Sequence, residues 1–145
     1  MRIKIQTKVA ANWKTVKDGF NETLFLKLNP PFPKVKLTRF DGSEKGDQVS
    51  MELDFILWKD KWTSDISFSS ETDNGFDFID EGNPAAFPFK KWKHHHIIYT
   101  EKGSTFIIDN IDFSSGNGFI DIILFPILYL QFLYRKPIYK RLFNR

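Results

Sequence analysis

The chain has 145 residues, 17% aromatics and no cysteine: enough for one domain spanning 1–145 that buries about two thirds of its unfolded surface, with disulfides, thiol nucleophiles and thiolate metal sites excluded. The net charge of +3 hides a split, since residues 1–40 hold nine Lys/Arg against two acids, residues 41–81 three against twelve, and residues 135–145 five against none. An acidic middle makes a poor phosphate track, so no nucleic-acid partner is expected, and the opening "MRIKIQTKVA" lacks the apolar run of a secretory signal, which predicts a cytoplasmic location.

In "RIKIQTKV" the residues Ile3, Ile5, Thr7 and Val9 share one face and Arg2, Lys4, Gln6 and Lys8 the other, the pattern of a half-buried strand. Asn12 and Asn21 then offer N-caps for two short helices, closed by Gly19 and by Pro30 with Pro31. From residue 34 onward the period is two, punctuated by turn signals at 41–47, 59–61, 72–75, 81–88 and 101–104. Val49, Met51, Leu53, Phe55 and Leu57 face one way on one strand. Trp62, Ile66 and Phe68 repeat the arrangement on the next, followed by Phe76 and Phe78. The last third, "GFIDIILFPILYLQFLYRKPIYKRLF", is too long and unpunctuated for a strand and predicts one helix from Asn117 or Gly118, kinked at Pro126 and Pro137. Its apolar residues run nearly all round, which predicts burial on most sides, while Asp121, Gln131 and Arg135 interrupt it too often for a membrane span.

The order of one strand, two short helices, six strands and a long helix resembles the helix-grip fold of START-like, or SRPBCC, proteins, the birch-pollen-allergen-like group. Local wording carries the same resemblance. "LFLKLNPPFPKV" is similar to a Leu-x-x-Leu-x-Pro-Pro segment after the second helix. "KKWKHHH" and "IIDNIDF" resemble the paired Trp-x-His-x-His and Asp-x-Val-x-Tyr strands of the ligand-binding subgroup, and "LYRKPIYKRLF" resembles its basic helix end. Phe113 stands where that pattern has Tyr, and the last helix is unusually apolar. The resemblance implies an α+β fold, a seven-stranded antiparallel sheet wrapped around the long helix, and an interior that holds sterols, lipids, polyketides or other apolar ligands.

All three histidines stand in a row, and alternation on a strand puts Trp92, His94, His96 and Ile98 on one face and Lys93, His95, Ile97 and Tyr99 on the other. His95, beside Lys93, reads as solvated. A two-residue turn at Lys102 and Gly103 would set His96 opposite Asp109, His94 opposite Ile111 and Trp92 opposite Phe113. Three roles compete for the His96–Asp109 pair: a self-satisfied buried polar pair, a polar contact for a ligand in an aromatic-lined cavity, or, with His94, a metal site.

No nucleophile elbow, zinc-protease motif or phosphate-binding loop occurs. "GNG" at 116–118 starts like a dinucleotide fingerprint, but Asp121 holds the third glycine position, so no cofactor is expected and no metal is assigned. Asp80 shares the face of Phe76 and Phe78 as a pocket or loop-capping residue, whereas Asp77 and Glu81 point to solvent. The predicted ligand-binding set is Met51, Phe55, Trp62, Ile66, Phe68 and Phe78 from the sheet's middle, Trp92, His94, His96, Asp109 and Ile111 from its paired strands, and Phe125 and Tyr129 from the last helix. The expected function is non-covalent binding of a hydrophobic or amphipathic small molecule. The alternatives are a cyclase- or hydrolase-like enzyme using His96 and Asp109, and an interaction module whose apolar helix pairs copies or touches a membrane through Arg135, Lys136, Lys140 and Arg141.

Overall fold

The computed structural model describes residues 1–83 and 85–145; residue 84, within the turn signal at 81–88, lies outside them. The elements are β1 (Arg2–Val9), α1 (Trp13–Gly19), α2 (Glu22–Leu28), β2 (Lys34–Phe40), β3 (Gln48–Asp54), β4 (Lys59–Thr72), β5 (Gly75–Gly82), β6 (Lys91–Glu101), β7 (Ser104–Ser114), α3 (Gly118–Leu133) and α4 (Arg135–Phe143). The seven strands form one antiparallel sheet in the order β1-β7-β6-β5-β4-β3-β2. After β1 the chain crosses through α1 and α2 to the far edge and meanders back, so that β7 closes beside β1. Local chemistry fixes the joints. Asn12 and Asn21 cap α1 and α2 by accepting from Thr15 N (2.9 Å) and Leu24 N (3.0 Å), and Asn117 caps α3 by accepting from Phe119 N (3.0 Å).

The β6–β7 hairpin turns on Lys102 (φ 50°) and Gly103 (φ 78°) and sets His96 opposite Asp109, His94 opposite Ile111 and Trp92 opposite Phe113, the expected register. Other boundaries differ from the sequence expectation. β3 stops at Asp54, whose side chain accepts from Ile56 N (2.8 Å), while Phe55 N donates to Trp58 O (2.9 Å) and closes a tight loop. Leu57 is therefore 88% exposed at a loop tip rather than inward on a strand, and residues 59–61 open β4 instead of forming a turn. A register shift against β5 between Ile66 and Phe68 turns Phe68 outward, where it is 42% exposed.

The final helix breaks at Tyr134 into α3 and α4, and Pro137 sits in the first turn of α4, where a missing N–H is tolerated. The expectation of burial on most sides fails for α3. Only Asp121, Leu128 and Phe132 are buried there, because one sheet face receives one side of the helix and nothing among the described residues covers the other. By length and composition Gly118–Phe143 is apolar enough to cross a membrane, yet it lies across the sheet.

Two buried clusters hold the fold. One joins Val9, Trp13, Val16, Leu24, Phe76, Ile98, Tyr139 and Phe143 beneath α1, α2 and α4; the other joins Ile3, Ile5, Ile111, Phe113, Leu128 and Phe132 beneath α3.

Candidate functional site

Between these clusters the concave sheet face and the helices enclose a cavity of about 400 Å³. Its walls come from alternate residues of β3 to β6, because period two sends every second side chain inward. Met51, Phe55, Trp62, Ile66 and Phe78 line it, together with Trp92, His94 and His96. From the C-terminal helices come Leu124, Ile127, Leu128, Gln131, Phe132 and Arg135, which follow helical spacing along one face.

Five predicted residues do not line this space. Phe68 is turned out by the bulge. Ile111 is wholly buried in the packed cluster under α3, and Asp109 lies behind His94 at 1% exposure. Phe125 and Tyr129 stack on each other at 6.2 Å on a neighbouring helical face, and Tyr129 is 39% exposed. The helical spacing of Leu124, Leu128, Gln131 and Arg135 in the sequence was the signal that would have selected the facing residues.

The ionisable groups of this mainly apolar wall gather on one part of it, apart from the amides of Asn21 and Asn29. His94 Nε2 donates to Asp109 Oδ1 at 2.8 Å, and His96 Nε2 lies 2.7 Å from Asp80 Oδ2. The imidazoles overlap with centroids 3.5 Å apart, and Phe78 stacks on His96 at 4.2 Å. Arg135 reaches Asp109 Oδ1 at 3.4 Å with its guanidinium 4.3 Å from the centre of the Phe132 ring. Trp62 Nε1 donates to Ser64 Oγ (2.8 Å), which donates in turn to Asp80 Oδ1 (3.4 Å).

The expected register is present, but the expected partners are exchanged. His96 faces Asp109 across the ladder with Nδ1 3.9 Å away, while its hydrogen-bond partner is Asp80 on the other neighbouring strand. Asp109 instead serves His94, two residues along on the same face. His95 is not simply solvated either: its Nε2 lies 2.7 Å from Asp77 Oδ2 on the convex side.

Electrostatics follow from burial. Burial, reinforced by the neighbouring His96, pushes His94 down to about 4, so it is a neutral imidazole at pH 7. Burial would raise Asp109, but the hydrogen bond from His94 and the charge of Arg135 outweigh it and hold that carboxyl down to about 2. For Asp80 too, burial is outweighed, here by the hydrogen bond from His96 and the nearby histidines, and its carboxyl lies below the usual range. Two carboxylates therefore face one guanidinium. With Asp109 holding the Nε2 proton, His94 Nδ1 presents a lone pair 3.5 Å from Asp80 Oδ2.

One ligand atom from each of Asp80, His94 and His96 lies within 4.8 Å of the others, a spacing able to hold a divalent ion. Asp109 would be its outer partner behind His94, not a ligand. Sequence reasoning missed Arg135 as a cavity residue, because a basic helix end reads as surface.

No protein-family model matches the sequence. No curated protein matches it either. Solved structures do match its shape. An aromatase/cyclase, Zhui, from a Streptomyces species superposes with a TM-score of 0.62 at 14% identity, over 92% of this chain and 90% of that one. A START superfamily protein from Mycobacterium smegmatis gives 0.58 at 12% identity over 88% of both chains. A major latex-like protein from Panax ginseng gives 0.58 at 11% identity over 90% and 95%. With a seven-stranded antiparallel sheet, two short helices after β1 and a long C-terminal helical segment, the chain has the helix-grip fold of START-like, or SRPBCC, proteins.

Proposed function

We propose that the protein binds a hydrophobic or amphipathic small molecule, lipid-like or polyketide-like, without covalent chemistry and in the cytoplasm. The observation that carries this reading is a cavity of about 400 Å³ walled mainly by aromatic and aliphatic side chains, with the Asp80, His94, His96 and Arg135 cluster as its charged and imidazole part. Burial of apolar ligand surface, at roughly 25 cal/mol per Å², supplies affinity. Asp80, His96 and Arg135 orient a polar end, held in place by Asp109 and His94.

Thermal shift against lipid extracts and aromatic polyketides, with native mass spectrometry of what co-purifies, tests the reading. A ligand present at a hundred times its Kd adds about 2.7 kcal/mol, a rise of roughly 5–10 °C for a chain this size. An unresponsive melting curve together with a ligand-free mass spectrum would rule it out.

The enzyme alternative finds support in an imidazole and a carboxylate 2.7 Å apart on the cavity wall, His96 and Asp80. The dyad for a general base and its orienter is thus His96–Asp80 rather than His96–Asp109. His96→Gln separates the two readings: an enzyme loses turnover while still binding, whereas a carrier shows altered affinity only. Membrane contact through the basic C-terminus is left with Lys140 and Arg141, since Arg135 faces the cavity and Lys136 donates to Gln6 O at 2.8 Å.

A further inference from the structure

We propose that the sheet edge around the cavity entrance docks onto an anionic lipid bilayer, with the loop tips inserted and the lysines between them against the headgroups. The antiparallel meander brings the α2–β2, β3–β4 and β5–β6 loops and the start of α3 to one edge. Each presents an apolar side chain to solvent: Phe32 at 52% exposure, Ile56 at 83%, Leu57 at 88%, Phe87 at 74% and Phe119 at 73%. Those on the three loops are neighbours. Phe55 connects Phe32 to Trp58 through ring contacts of 6.0 and 5.0 Å, and Phe87 N donates to Asp60 Oδ2 at 3.0 Å, which ties the β5–β6 loop to the start of β4. Phe32, Phe55, Phe87 and Ile127 also line the cavity, so the collar is continuous with its entrance.

The β3–β4 tip is built to stay apolar and exposed. Ile56 holds φ at 74°, a left-handed conformation that a β-branched side chain adopts only at a cost, and the Asp54 side chain clamps its N–H. Such strain persists where the surroundings enforce it and commonly marks a functional position. Trp58 beside it is the residue type that settles at a bilayer interface.

Charge selects the occupant. Lys34, Lys59, Lys61, Lys90 and Lys91 are exposed at this edge, and none forms a salt bridge among the described residues. The opposite edge carries Asp41, Glu44, Asp47, Glu71, Asp73 and Glu101 against the exposed Lys45 and Lys102, with Arg39 and Lys17 already paired there. The molecule is therefore polarised in balance: lysines outnumber acids beside the apolar tips, where Asp54 and Asp60 accept from Ile56 N and Phe87 N, and acids outnumber lysines at the other end. A second copy meeting this edge about a two-fold axis would set lysine against lysine. An anionic surface complements both features at once, each lysine contributing on the order of fivefold in affinity near it.

The test is co-sedimentation of the whole chain with vesicles of phosphatidylcholine, alone or doped with phosphatidylglycerol, at low and raised salt. Binding is expected to the doped vesicles and to weaken with salt. Leu57→Asp should reduce it on the order of tenfold or more, and Lys59→Gln with Lys91→Gln should reduce it and flatten the salt dependence. All these side chains are exposed, so an unchanged melting temperature shows that the variants are folded. Absence of pelleting with doped vesicles overturns the proposal. So does pelleting that is indifferent to Leu57→Asp but lost in Lys140→Gln with Arg141→Gln, and so does a dimer mass in free solution that Leu57→Asp returns to the monomer. Pelleting reads docking and thermal shift reads filling of the cavity, so either proposal can fail alone.

Discussion

The two C-terminal helices are continuous in sequence, yet the more apolar of them, α3, is the one that leaves large apolar side chains exposed. α4 buries Tyr139 completely and Phe143 to 6% against α1, α2 and the ends of β5 and β6, and Gly19 of α1 approaches the Phe143 ring so closely that a Cβ there would lie 2.6 Å from it. α3 buries Leu128 and Phe132 while leaving Phe119, Leu130 and Ile122 at 73%, 64% and 60% exposure. The difference lies in what the sheet meets. At the closed end α1 and α2 add a second layer that packs on α4; α3 buries only Leu128 and Phe132 of its apolar side chains among the described residues, and its inner flank shares the cavity with Leu24, Phe25 and Leu28 of α2. Dense packing and open space are thus segregated along one helical segment, the first in interlocked rings and the second beside an exposed apolar rim.

Truncation breaks that comparison most sharply. Phe76 is 5% exposed and packs on Trp13, Phe20 and Phe78. Phe76→Ala should cost about 3–5 kcal/mol in urea unfolding. Leu130→Ala on α3 should stay within about 0.5 kcal/mol of the parent despite removing a large apolar side chain. Equal losses would mean that α3 is covered in solution.

Acid probes the polar cluster on the cavity wall. His94 titrates near 4 in the fold against 6.5 when free, so as pH falls the unfolded chain takes up the proton first. The stabilisation from this group is complete above pH 6.5, drains between 6.5 and 4, and is gone below; at 1.36 kcal/mol per unit that amounts to about 3 kcal/mol. Asp109, held at about 2 against 3.8, shifts the balance in the same direction at still lower pH. Urea midpoints should therefore fall steeply between pH 6.5 and 4. The slope should flatten in His94→Gln, and an unchanged slope in that variant would show that the loss arises elsewhere.

The closed end was largely legible in sequence, and the open end was not. Strict alternation in β1, the Asn caps and the Lys102–Gly103 turn are local signals with one structural answer, and the turn alone fixed the partners of Trp92, His94 and His96. The bulge that turns Phe68 outward has no local signature in "DISFSS", since any of those residues tolerates either face. The exchange of histidine partners depends on which neighbouring strand offers a carboxylate at reach: Asp80 lies on β5, and pairing arithmetic for one hairpin cannot see it. The exposed flank of α3 misled for the opposite reason. Apolar residues all round a helix imply burial only when enough chain exists to cover them, and coverage is a property of the assembled layers rather than of the helix.

Enlarging one side chain at each end gives the finest discrimination. Val16 on α1 is fully buried between rings, so Val16→Phe should cost about 1–3 kcal/mol through overpacking. Met51 on β3 faces the cavity, and Met51→Trp grows into open space. It should change stability by less than about 1 kcal/mol while cutting the melting-temperature rise that a bound ligand produces. The two readouts move independently because the transfer of an indole into the cavity replaces ligand contacts without displacing protein atoms. If Met51→Trp instead destabilises the fold as much as Val16→Phe does, the wall around Met51 is already packed, and the space between sheet and α3 is too small to receive a ligand.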